Sequence, residues 1–111
     1  MIERYVIMKF REEEVENFLK IFHSKKEYIA SFNGCEHLEL RQSKSNKNWL
    51  MTFSIWMQES FLEEYRKSDL FDGVWNKVKP LFSEKAEAIT IFPNQQDADE
   101  KRKQFLSKFE D

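Results

Sequence analysis

Cysteine occurs once, as Cys35, so the chain forms no intramolecular disulfide and no thiolate cage for zinc. Glycine is almost absent: Gly34 and Gly73 are the only two, which excludes a glycine-rich phosphate loop. Neither sign of charge dominates, because 18 basic and 20 acidic residues are interspersed and the net charge is −2. That is a solvated surface, not the basic footprint of a nucleic-acid-binding protein. No apolar run approaches the length of a membrane span. The N-terminal stretch MIERYVIMKF carries charges inside its apolar run, unlike a signal peptide. A soluble protein in a reducing, cytoplasmic setting is expected. What the chain does have is aromatics, 15% of it and eleven of them Phe. Its 111 residues suffice for one domain with a core that needs no staple.

The apolar pattern changes period along the chain. Residues 2–10 alternate, with Tyr5 and Ile7 on one face and Val6, Met8 and Phe10 on the other, so both faces of this strand expect cover. Arg11–Glu14 then opens a helix with acids in its first turn, where the helix dipole favours them. Val15, Phe18, Leu19, Phe22 and Ile29 form its stripe, and Asn33-Gly34 supplies a left-handed stop. Residues 35–43 read as a second strand and 49–57 as a third, joined by the turn Lys44–Lys47. Matching apolar to apolar pairs Leu38 with Phe53 and Leu40 with Met51, which sets His37 beside Ser54 and Cys35 beside Trp56. Residues 86–92 form the last strand, closed by Pro93.

Between the third and fourth strands lies SFLEEYRKSDLFDGVWNKVKPLF, residues 60–82. It reads as a helix broken at Ser68-Asp69, both good N-cap residues, and restarted. Phe71, Val74, Trp75, Val78 and Phe82 recur at helical spacing after the break. The order β-α-β-β-α-β predicts an α+β, ferredoxin-like fold over residues 1–92: a four-stranded antiparallel sheet with two helices on one face, the second broken. The other face is then bare, yet the first and third strands are apolar on both sides. A bare apolar sheet face marks an interface, so a homodimer packed sheet to sheet is expected. Residues 93–111 form a polar tail, or else a short helix from Asp97 that docks Phe105, Leu106 and Phe109 on its own or a partner subunit.

A pocket, if formed, has the broken helix as one wall. Trp56, Tyr65, Phe71 and Trp75 are its candidate lining. Trp75 also fits a core role, and Trp56 fits either the core or the pocket mouth. Tyr65 has a hydroxyl that needs a partner when buried, which makes it, with His37 and Arg66, a candidate catalytic residue. His37 is the candidate general base, against the plainer role of a polar residue on an exposed or interface strand. Arg66 and Lys67 suit an anionic group, against a solvated face. Cys35 and His37 give two metal ligands, too few for a site. The βαββαβ order also occurs in RNA-binding modules, but the third strand lacks the glycine that their aromatic strand requires.

These residues resemble a known family. Phe32-Asn-Gly-Cys35 leading into strand two, Thr52-Phe-Ser-Ile-Trp56 closing strand three, and Tyr65-Arg-Lys-Ser-Asp-Leu-Phe71 with Val74-Trp75 are similar to the antibiotic biosynthesis monooxygenase family of dimeric α+β barrels. The resemblance implies oxidation of a small phenol or quinol by oxygen without metal or flavin. It further implies Trp56, Tyr65 and Trp75 as the cavity, with His37 or Arg66 as polar partner. A non-catalytic small-molecule-binding or interaction protein of the same fold is the alternative. A heme-degrading branch of the family has an Asn on the first strand, a Trp before the helix break and a ligating His after it. Tyr65 and Trp75 stand at those last two places here, and residues 2–10 contain no Asn, so no heme is expected.

Overall fold

The structure is a computed structural model, and it describes residues 1–110. Its elements are β1 (Ile2–Lys9), α1 (Val15–Ala30), β2 (Cys35–Gln42), β3 (Trp49–Trp56), α2 (Glu59–Arg66), α3 (Asp69–Val78), β4 (Glu87–Ile91) and α4 (Ala98–Ser107). The strands form one antiparallel sheet in the order β2-β3-β1-β4. This is the ferredoxin-like α+β arrangement. No helix among the described residues is long and apolar enough to cross a membrane.

The alternation of β1 sorts the two faces as its side chains require. Met8 and Phe10 point to the face covered by α1 and α3, where they pack with Phe18, Phe22, Leu50 and Val78. Phe10 is fully buried and stacks on Phe18 at 4.3 Å between ring centroids. Each such phenylalanine contributes on the order of 1.5–3 kcal/mol by leaving water. Where α1 ends, Gly34 adopts φ +87°. Its missing side chain leaves room for Phe61, which an added Cβ would meet at 2.2 Å. The turn can close there only with glycine.

The opposite face differs from the sequence expectation. It is not bare, because α4 lies on it, and Ala98, Phe105 and the nearby Phe109 pack against Tyr5, Ile7, Met51 and Ile91. Arg102 fixes the helix to β1 by a two-pronged pair with Glu3, at 2.8 and 3.1 Å. The apolar residues of β1 thus find cover within their own chain. The few hydrophobic residues of an otherwise polar C-terminal segment are the ones that dock.

The register of β2 on β3 also differs. Cys35 pairs with Trp56 as the apolar matching requires, but an irregularity between Cys35 and His37 displaces the rest of the strand. Leu38 pairs with Ser54 and Leu40 with Thr52, not with Phe53 and Met51. A bulge adds one residue to one strand, and side chains alternate with period two. His37, Glu39 and Arg41 therefore share the α4 face with Phe53 and Met51, while Leu38 and Leu40 join the helical face.

Candidate functional site

The helix break has a local chemical cause. Ser68 Oγ accepts from Phe71 N–H at 3.1 Å and donates to the Tyr65 carbonyl at 2.6 Å. One hydroxyl thus caps α3 and satisfies a carbonyl at the end of α2. The break tilts two short aromatic helices over the sheet, leaving a cavity of about 310 Å³ between them. Its sheet side mixes the larger Arg4, Val6 and Met8 of β1 with the small Thr52 and Ser54 of β3 and Ala86 and Ala88 at β4, whereas its helical wall carries Tyr65, Phe71 and Trp75. The volume lies in the range of small-molecule sites.

Five of the seven candidate residues line this cavity, Trp56, Tyr65, Arg66, Phe71 and Trp75, whereas Lys67 and His37 do not. Trp56 is fully buried, so it closes the inner end and not the mouth. Its Nε1–H donates to Ser54 Oγ at 3.0 Å. Tyr65 stacks on Trp56 with centroids 5.1 Å apart and meets Phe32 and Phe71 edge-on, each at 5.3 Å. Phe71 in turn stacks on Trp75 at 5.9 Å. A run of aromatic contacts thus crosses the helix break. Burial holds the Tyr65 phenol well above its usual pKa, with a smaller contribution from Cys35. No buried polar side-chain atom among the described residues lacks a partner, and the Tyr65 hydroxyl makes no hydrogen bond among them, so it is not sealed off.

His37 stands elsewhere. The β2 bulge turns it to the α4 face, where Nε2 lies 2.8 Å from Glu39 Oε1 and the side chain is 45% exposed. Glu39 also receives Arg41 Nε at 2.7 Å, and Arg41, then His37, holds its carboxyl below the usual range. The three form a surface charge ladder with no access to the cavity.

A cavity residue that the sequence patterns did not single out is Arg4. It lies on β1 opposite Ser54 on one side and Thr90 on the other, and Nη1 donates to Thr90 Oγ1 at 2.8 Å. Burial pushes its guanidinium below the ordinary value, Arg66 pushes the same way, and Glu63 opposes them. The signal was present: Arg4 shares a strand face with Val6 and Met8, so a charge stood at an inward position. The titratable cavity groups are therefore two guanidiniums and a tightly protonated phenol. They donate hydrogen bonds and stabilise negative charge; none is a strong base near neutral pH.

Comparison with known proteins agrees with this architecture. The family model described as antibiotic biosynthesis monooxygenase matches residues 1–74. An antibiotic biosynthesis monooxygenase of known structure superposes with TM-score 0.80 at 9% identity, over 86% of this chain and all (100%) of that one. A conserved protein of Methanosarcina mazei Go1 gives 0.77 at 20% identity, over 80% and 88% of the two chains. A conserved protein of Bacteroides thetaiotaomicron gives 0.71 at 17%, over 81% and 96%. At these identities the likeness is one of fold. No curated protein matches the sequence.

Proposed function

The chain belongs to the antibiotic biosynthesis monooxygenase family, and on that premise we propose that it oxidises a small phenol or quinol with molecular oxygen, without a cofactor. The observation that carries this reading is the cavity walled by aromatic side chains, with few polar groups. A phenol with a free ring C–H can supply all four electrons itself. One oxygen atom becomes the new quinone carbonyl and the other leaves as water with two substrate hydrogens. The protein must then exclude bulk water, hold the ring and stabilise the deprotonated substrate. Trp56, Phe71 and Trp75 hold the ring. The Tyr65 hydroxyl donates to a substrate oxygen, and Arg66 supplies positive charge at the exposed end. His37, on the other face, takes no part. The working form is a cytoplasmic homodimer paired over the part of the second sheet face that α4 leaves open.

The test is oxygen uptake by purified protein with a panel of phenols and quinols, with labelled oxygen traced into product. Uptake that tracks product one for one, and falls in Tyr65→Phe, is expected. A cavity that binds these compounds while no oxygen is consumed overturns the catalytic reading. One observation favours that alternative, a binding protein of the same fold: the cavity holds no strong base to take the phenol proton.

A further inference from the structure

Every arginine but one has a carboxylate partner. Arg11 pairs with Glu14, Arg41 with Glu39, Arg66 with Glu63, and Arg102 with Glu3 and Asp99. Arg4 forms no ion pair among the described residues, although it is half-buried. Its one hydrogen-bond acceptor is the neutral hydroxyl of Thr90. Glu63, the acid that acts on it, is 3.5 Å from Arg66 and engaged there. The remaining N–H groups of Arg4 are not sealed off, since no buried nitrogen among the described residues is left unpaired, and Arg4 is part of the cavity lining.

A cation held against an apolar cavity without a counter-ion is costly. A neutral residue at this strand position would pack beside Val6 and Met8 at lower cost. The same low-polarity surroundings strengthen its attraction for an incoming negative charge. The cavity thus joins aromatic walls to one unneutralised guanidinium. We propose that Arg4 is the anion-recognition residue of this cavity, and that the cavity takes a planar aromatic ligand bearing an oxyanion, a ring phenolate or a ring carboxylate. This deepens the small-aromatic reading of the site and rests on it. For a phenol it also answers the missing base. Arg4 favours the ionised ligand, so the proton leaves to solvent on binding and no side chain has to take it.

The probes are 4-nitrophenol, 4-nitrobenzoate and the neutral 4-nitroanisole, with binding measured by absorbance and calorimetry. Wild-type protein should bind at least one of the two anions about ten-fold or more tightly than 4-nitroanisole, the lower end for a hydrogen bond to a charged group. Ionisation of bound 4-nitrophenol should shift to lower pH if phenolate is the preferred form. Arg4→Gln should erase the anion preference and leave 4-nitroanisole binding in place, while Arg4→Lys restores part of it. The anion that loses more affinity identifies the source of the oxyanion. Equal binding of the neutral and anionic probes by wild type overturns the inference with no variant needed. So does an anion preference that survives in folded Arg4→Gln. In both cases the aromatic cavity stands. If 4-nitroanisole and both anions all fail to bind, the small-aromatic reading itself fails.

Discussion

Tyr65 is held in a state that pH can reveal. Its folded pKa is raised, chiefly by burial, whereas an unfolded tyrosine ionises near about pH 10. Below that value both states keep the proton and the full stability is present. Above it the unfolded chain releases the proton first, so stability falls as pH rises toward the folded pKa, by up to about 1.4 kcal/mol per unit. Tyr5 acts in the same sense: burial, then its bond to Glu3, pushes it up to about 12. Melting temperatures measured from about pH 9 to 11 should therefore fall less steeply in Tyr65→Phe than in wild type. An unchanged slope would mean that the hydroxyl is as well hydrated folded as unfolded, and the cavity would not be a dry pocket. The aromatic candidates were legible because ring residues at helical spacing signal a packed face. Arg4 was not, since a single charge in an alternating strand carries little weight until the strand's neighbours are known.

At the scale of elements, the break between α2 and α3 was readable because Ser68 is both a helix stop and a helix start. Ser68→Ala should cost about 0.5–2 kcal/mol, the usual range for a lost N-cap, measured as a lower urea midpoint with unchanged slope. The same variant should loosen aromatic binding, since Tyr65 and Phe71 sit on opposite sides of the cap and meet edge-on at 5.3 Å. Loss of stability without loss of binding would separate the cap from the cavity. The strands were readable for a different reason: β1 and β3 are rich in β-branched and aromatic residues and apolar on both faces. The failure came at β2, where apolar matching gave one register and the bulge beside Cys35 imposed another. No sequence pattern marks that bulge, because its cause is the joint fit of Cys35 to Trp56 and of Leu38 and Leu40 to the helical face. That single displaced residue decides the candidate base: it is why His37 meets Glu39 on the surface and not the ligand.

Over the whole molecule, the two apolar sheet faces are resolved unequally. The first is closed by α1 and α3. The second is closed by α4 along β1 and β4, but its β2–β3 side still presents Phe53 and Ile55, both half-buried, beside the His37–Glu39–Arg41 ladder. Two subunits paired over a wholly bare face would bury far more apolar surface than α4 leaves free. The open half favours a smaller, more polar contact. The prediction is a dimer of twice 13.5 kDa that dissociates on dilution and at high salt, since charged rims are screened. Ile55→Arg should yield a folded monomer, because it places a charge at the centre of the open half without touching the cavity floor. Phe105→Ala should act otherwise. It should cost about 3–5 kcal/mol by leaving a void under α4, and it should strengthen association by baring more of the second face. Light scattering over a concentration series reads all three proteins. Wild-type protein that stays monomeric at every concentration would show that α4 is sufficient cover by itself, and that the C-terminal helix has taken the place of a partner.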